Sequence, residues 1–340
     1  MTEQDLTSTA KALVAKGKGI LAADESYGTA NKRFEKLGIP TTEEMRRAYR
    51  EMLFTTPEIG NFFSGVILFD ETIRQATQDG TPFTQVLQTA GVIPGIKLDA
   101  GAKPLAKSPG ETVTEGLDGL RDRIAEYVQL GARFAKWRAV FTIGEAIPSQ
   151  RGIEVNAHAL ARYAALCQEG GLVPIVEPEV LMDGNHSLER SFEVTEAVQH
   201  VIFEQLYRQG VAIDQIILKP NMVIPGEEAS PASVEAVATA TVNCLLRTVP
   251  PAVPGIAFLS GGQTDEQATA HLNAMHTLHQ DLPWPLTFSY GRALQQAAMS
   301  TWGGQAGNVA AAQKELHNRA KLNSAAALGE YRSDLEKVPA

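Results

Sequence analysis

Eight short apolar runs, each followed by a stretch of helical periodicity, restrict this chain more than any other feature. They lie at 20–24, 63–69, 92–99, 134–140, 172–179, 216–222, 255–260 and 286–290. Strands that are continuously apolar, rather than alternating, belong to sheets covered on both faces. Eight of them alternating with helices predict a (β/α)8 TIM barrel, with an open doubly wound sheet as the alternative. The turn after the first run, Asp24-Glu25-Ser26-Tyr27-Gly28-Thr29, is not the glycine-rich dinucleotide fingerprint that would favour the alternative. A length of 340 residues would admit two domains, but α/β barrels often exceed that prior, and no low-complexity linker breaks the chain. The expected organisation is one α/β domain over 1–340, opened by an amphipathic helix at 6–16 and ending in a mobile tail at 332–340.

Local signals fill the intervals. Thr41 and Glu44 have capping-box spacing and predict a helix through Phe54. Leu117, Leu120, Ile124 and Val128 share one helical face, closed by Gly131. Further helices are expected at 157–168 and 188–209, from Ser230-Pro231 with proline at the first helical position, from Thr264, and from Gly291-Arg292 through Trp302. An alanine-rich helix follows from Asn308.

The apolar fraction of 44% supports a large core, and a net charge of -9 disfavours nonspecific nucleic-acid binding. No run approaches the length of a membrane span, and the N-terminus has no signal-peptide core. Cys167 and Cys244 sit in helical patterns and read as reduced, buried thiols. A cytoplasmic protein with no membrane and no nucleic-acid partner is expected.

Barrel active sites lie at the C-terminal ends of the strands, and here those ends are charged. Asp24 ends the first run. Lys97 and Asp99 share one face of the third, Lys136 and Arg138 of the fourth, and Glu177 and Glu179 of the fifth, because side chains repeat every two residues. Lys219 follows the sixth run and precedes Pro220, which has no N–H to continue the ladder. A lysine desolvated at such a rim can act as an amine nucleophile toward a carbonyl. The ends of the last two runs, Ser260-Gly261-Gly262 and Ser289-Tyr290-Gly291-Arg292, offer open backbone N–H groups and a guanidinium where barrels often bind phosphate. Lys32 and Arg33 form a second cationic cluster, which on composition fits a second phosphate or a solvated helix face equally well. The seven histidines avoid the strand ends, and no Gly-x-Ser-x-Gly elbow is present, so a metal centre and a serine nucleophile are not expected. These features favour a small anionic phosphosugar over a polymer or lipid, handled by a lysine with carboxylate partners.

The motifs Leu21-Ala22-Ala23-Asp24-Glu25-Ser26, Phe134-Ala135-Lys136-Trp137-Arg138, Val176-Glu177-Pro178-Glu179, Leu218-Lys219-Pro220-Asn221-Met222, Leu259-Ser260-Gly261-Gly262-Gln263 and Phe288-Ser289-Tyr290-Gly291-Arg292-Ala293-Leu294 occur in this order. Together they resemble class I fructose-bisphosphate aldolase, the Schiff-base type found in animals and plants. The resemblance implies that Lys219 attacks the C2 ketone of fructose 1,6-bisphosphate. It further implies that Asp24 orients substrate and steers the C4 hydroxyl proton, and that Glu177 moves protons as the carbinolamine forms and dehydrates. Lys136 would supply positive charge near the reacting hydroxyls, and Glu179 would tune that cluster. Lys97 and Arg138 would contact substrate hydroxyls or the second phosphate. Ser260, Gly261, Ser289, Gly291 and Arg292 would belong to the C1-phosphate site, and Ser26, Lys32 and Arg33 to the C6-phosphate site, with Arg292 shared in one arrangement.

Reversible cleavage to dihydroxyacetone phosphate and glyceraldehyde 3-phosphate, needing no cofactor, is the implied reaction. Sedoheptulose 1,7-bisphosphate as main or added substrate, and a noncatalytic phosphosugar-binding scaffold, are the alternatives. A homotetramer is implied by resemblance alone. One departure stands out. The animal enzymes end in a longer tail with a terminal tyrosine that assists proton exchange, whereas this chain ends at Pro339-Ala340, and Tyr331 is expected to be structural.

Overall fold

The computed structural model describes residues 3–337. Eight parallel strands form one sheet in chain order: β1 Gly19–Ala23, β2 Phe63–Leu68, β3 Ile93–Lys97, β4 Phe134–Phe141, β5 Val173–Val180, β6 Ile217–Leu218, β7 Ile256–Phe258 and β8 Leu286–Phe288. Ala22 N–H donates to Tyr290 O at 3.0 Å and returns the end of the sheet to its beginning, giving the (β/α)8 barrel.

The alternation of each strand sorts its residues into two cores. Outward residues such as Leu21, Val66, Trp137, Val176 and Phe258 pack with the surrounding helices. Inward residues Ile20, Ala22, Ile67, Phe134, Val173, Ile175, Ile217 and Ala257 form a separate apolar cluster, joined by Leu6, Ala10, Leu13 and Val14. Those four come from the helix Glu3–Leu13 and the turn after it, so the N-terminal segment plugs the bottom of the barrel. Gly95 admits the Phe134 ring, which a Cβ at that position would overlap. Burying such a ring contributes on the order of 2–3 kcal/mol. The apolar plug leaves the upper layers of the interior to be polar.

Several local expectations are corrected. The third helix begins at Glu43 and is capped by Thr42, whose hydroxyl accepts from Met45 N, so Thr41 is not the cap. Ser233, not Ser230-Pro231, caps the helix Val234–Thr248. The helix expected at 157–168 extends over Gln150–Glu169, with Ser149 as cap. The helix after the first strand, expected to be headed by Lys32 and Arg33, is Tyr27–Lys36 with Ser26 at its N-cap position, which carries both residues past the first turn. A short antiparallel hairpin, Ala102–Pro104 with Thr112–Thr114, was not anticipated. Its three-residue strands are too short to show a period.

The sixth apolar run is the most instructive departure, since only Ile217–Leu218 pair as a strand. Lys219 N–H still donates to Val176 O at 2.8 Å, but Pro220 has no donor. Asn221 replaces the missing ladder with its side chain: Oδ1 accepts from Val180 N at 2.9 Å, and Nδ2 donates to Met222 O at 3.0 Å. Lys219 is therefore fixed between one backbone bond and an amide staple, on a rigid rim.

Beyond the helix Val309–Ala326, Tyr331 is largely buried, its N–H donating to Asn273 and its hydroxyl to Glu336 at 2.9 Å. Arg319 pairs with the same Glu336 at 2.7 Å, and the segment Ser333–Lys337 forms a 3-10 turn over this contact. Of the segment expected to be mobile, residues 338–340 lie outside the described residues. Tyr331→Phe removes one buried hydroxyl bond and is expected to lower stability by about 1 kcal/mol. If the reaction implied by the resemblance is the one catalysed, it should leave proton exchange on dihydroxyacetone phosphate at its normal rate relative to cleavage. Tritium release from labelled substrate, compared with the cleavage rate, reads this directly, and a selective loss of exchange would show that Tyr331 acts in catalysis.

Candidate active site

The upper end of the barrel opens into a cavity of about 560 Å³ lined by side chains from the strand ends. At its floor, four ionisable groups from four strands form one connected chain. Lys219 Nζ lies 3.1 Å from Glu177 Oε1. Glu177 Oε2 is 3.3 Å from Lys136 Nζ, an ion-pair contact without hydrogen-bond geometry. Lys136 Nζ in turn meets Asp24 Oδ2 at 2.6 Å. All four residues are buried, Lys219 being 3% exposed.

The strand period explains this convergence. Asp24 continues the inward face of Ile20 and Ala22, Lys136 that of Phe134, Glu177 that of Val173 and Ile175, and Lys219 that of Ile217. Each of these strands thus presents apolar residues to the plug and one or two ionisable groups to the mouth, Arg138 and Glu179 following Lys136 and Glu177 on the same faces.

The charges shape one another. Burial pushes the Asp24 carboxyl up, but Lys136, Lys219 and Lys97 outweigh it and hold the group at about 2. Burial disfavours the Lys136 ammonium, yet Asp24, Glu177 and Asp99 together raise its pKa well above the ordinary lysine range. Lys136 is thus a fixed cation, and Asp24 a fixed anion, across the neutral range. Glu179 differs, because burial raises its pKa against the opposing Arg138 guanidinium, with which it forms a short ion pair.

The walls carry further cations. Lys97 Nζ is drawn onto Asp99, 2.6 Å from both Oδ1 and the backbone carbonyl oxygen. Asp99 also accepts from Arg138 N and Gly101 N, so it organises this side of the mouth. The sequence reading noted it only as a neighbour of Lys97 on one strand face. Arg138 is half-exposed and reaches over the cavity.

Two helices point their N-termini at the cavity. Among the described residues, five helices are closed by side-chain caps, at Thr42, Ser149, Ser187, Ser233 and Thr264. The helices Tyr27–Lys36 and Arg292–Trp302 have neither a side-chain cap bond nor an acidic residue in the first turn. Their orphan N–H groups are suited to an anion. Around the second of these lie Ser260, Gly261, Ser289, Gly291 and Arg292. Gly261 has φ +55°, a conformation glycine adopts without penalty. The Ser289 hydroxyl is fully buried and has no hydrogen-bond partner among the described residues. Arg292 rests on the carbonyls of Gly261 and Gln263, and its Nη1 lies 3.8 Å from Asp265. Around the first helix lie Ser26, Thr29 and Arg33. Lys32 is exposed and is not part of the lining, because one step along a helix turns a side chain by about 100°.

The fold and this site define a barrel protein whose mouth joins a buried chain of lysines and carboxylates to two uncapped helix N-termini. The family model for class I fructose-bisphosphate aldolase matches residues 5–340. A Xanthomonas campestris protein named as a probable class 1 fructose-bisphosphate aldolase is 61% identical over 334 residues, covering 98% of this chain and 100% of that one. Cytosolic fructose-bisphosphate aldolase 6 of Arabidopsis thaliana is 53% identical over 330 residues, covering 97% of this chain and 92% of its own length. The solved fructose-bisphosphate aldolase of Plasmodium falciparum, in complex with TRAP and a small-molecule inhibitor, superposes with a TM-score of 0.96 at 47% identity, covering 97% of this chain and 96% of that one. The chain belongs to the class I fructose-bisphosphate aldolase family, a family of carbon–carbon lyases.

Proposed function

We propose that this protein cleaves fructose 1,6-bisphosphate reversibly to dihydroxyacetone phosphate and glyceraldehyde 3-phosphate through a Schiff base on Lys219. The observation that carries the reading is the buried chain Lys219–Glu177–Lys136–Asp24, in which an amine has a carboxylate within 3.1 Å and a fixed cation lies beyond it.

The Lys219 amine adds to the C2 ketone, and Glu177 passes protons to the carbinolamine oxygen so that water can leave. The protonated imine then draws the C3–C4 bonding electrons as that bond breaks. Asp24, ionised at all working pH, takes or steers the proton leaving the C4 hydroxyl, and Glu177 is the other base within reach of that region. Lys136 balances the developing oxyanion charge as a preorganised cation. Glu179 tunes the cluster through Arg138, and Lys97 contacts the substrate hydroxyls. The uncapped helix at Gly291-Arg292, with Ser260, Gly261 and Ser289, holds the C1 phosphate. Ser26, Arg33 and Arg138 serve the other phosphate, and the exposed Lys32 adds only long-range attraction. Two distant phosphates position the central carbons with binding energy remote from the bond that breaks.

We place the protein in the cytoplasm, in line with relatives named as cytosolic or cytoplasmic, and, on the family resemblance, in central sugar metabolism as a homotetramer. Borohydride reduction in the presence of dihydroxyacetone phosphate, followed by peptide mass analysis, tests the mechanism. One modified lysine, Lys219, is expected, with full activity after exhaustive chelation. Labelling elsewhere, or activity lost to the chelator and restored by a divalent metal, would overturn it.

A further inference from the structure

Glu25 lies beside the catalytic Asp24 in the sequence but faces a different set of partners. Its Oε1 accepts from Arg33 Nη1 at 2.6 Å and from Gln295 Nε2 at 3.0 Å, and its Oε2 accepts from Arg50 Nη2 at 2.7 Å. Gln295 is fully buried, also donates to Ala22 O at 2.7 Å, and accepts from the Tyr49 hydroxyl at 2.9 Å. Glu25 therefore ties the first-strand end, the helix bearing Arg33 and the helix opening at Arg292 into one buried knot. Burial opposes its charge, but Arg50 and then Arg33 outweigh that and hold the carboxyl below its ordinary range.

Charge accounting separates the two arginines. One carboxylate faces two guanidinium groups, so one positive charge is left over. Arg50 is buried and shut away from the cavity, whereas Arg33 is partly exposed and lines it. The surplus charge is thus presented at the cavity by Arg33. A free arginine would lose side-chain freedom on gripping an anion. Glu25 holds Arg33 ordered beforehand.

We propose that Glu25 is a positioning residue for recognition of the second phosphate, acting through Arg33 and not on the reacting carbons. The inference rests on the reading above that Arg33 serves that phosphate. The test compares kcat/KM for fructose 1,6-bisphosphate with kcat/KM for fructose 1-phosphate, which lacks the second phosphate. The variants are Glu25→Gln, Arg33→Ala and the double variant, with folding checked by circular dichroism. Arg33→Ala should lower the bisphosphate-to-monophosphate ratio by about 30-fold, the scale of a charge-assisted phosphate contact. Glu25→Gln should lower the same ratio by about tenfold, and by less than twofold when added to Arg33→Ala, because its effect passes through that side chain. Should Glu25→Gln fold poorly, Glu25→Asp keeps the charge, shortens the reach to two arginines, and should reproduce the loss. A normal or raised ratio in the Glu25 variants, with the Arg33→Ala loss intact, overturns this inference alone. So does a parallel fall for both substrates. A normal ratio in Arg33→Ala overturns the phosphate assignment beneath it.

Discussion

Lys219→Met and Lys219→Arg are each expected to lower kcat on the order of 10⁵-fold and to abolish borohydride trapping of dihydroxyacetone phosphate. The pair of variants separates two contributions of one side chain. Methionine keeps the length of the stem and suits a buried site, but it removes both the charge and the nucleophile. Arginine keeps a cation beside Glu177, yet a guanidinium does not lose its proton in proteins and forms no imine. Equal and near-total loss in both means that the free amine is required. Substantial activity in Lys219→Arg would mean that the residue contributes only positive charge, and the Schiff-base reading would fail. The fold should survive the methionine change, because Glu177 retains its contact with Lys136 at 3.3 Å. A melting temperature within a few degrees of the parent is the accompanying expectation, read by calorimetry.

The barrel was legible because its strands are continuously apolar and its helices amphipathic, signals that survive without any tertiary information. The inward register was legible too: the period of two already grouped Lys136 with Arg138 and Glu177 with Glu179. That these strands converge, so that Lys136 lies between Asp24 and Glu177, comes from barrel closure, which no single segment encodes. Asp24 and Lys136 are 112 residues apart in the chain and 2.6 Å apart in space.

What escaped the sequence reading has physical causes of the same kind. Pro220 and Asn221 were visible, but the substitution of an amide staple for a ladder bond was not, since it needs the Val180 N–H delivered by a neighbouring strand. The Thr42 and Ser233 caps compete with nearby residues of equal capping ability, so local chemistry could not choose between them. Lys32 and Arg33 look equivalent as a basic pair. The helix turns one to solvent, while Glu25 holds the other at the cavity. Glu25, Arg50 and Gln295 carry no local motif beyond the run containing Asp24, and their role emerges only from the knot they form.

Lys136→Met should lower kcat by about 10²–10³-fold, the scale of removing one preorganised charge stabiliser, and should also destabilise the fold by about 3–5 kcal/mol at neutral pH. The second effect follows from the sign of the two shifts. Asp24 is held at about 2, against an ordinary 3.8, so its ionised form contributes stability that is complete above pH 3.8 and lost as pH falls through about 2. At neutral pH this contribution is on the order of 2 kcal/mol. Lys136 is shifted upward from 10.5, so its contribution is complete below that pH and is lost only in strong base. Removing Lys136 deletes both contributions and leaves Asp24 and Glu177 buried with Lys219 as their nearest remaining cation. With the foremost of the charges that offset its burial gone, Asp24 relieves that state by taking up a proton, so its pKa should rise. The stability deficit of Lys136→Met should accordingly be largest at pH 7 and shrink as pH is lowered toward 4, where the variant gains its proton and the parent has nothing to gain. Thermal unfolding of both proteins at pH 7 and pH 4 measures this difference. A deficit that grows on acidification would mean that Lys136 is held chiefly by packing and not by the carboxylates on either side of it.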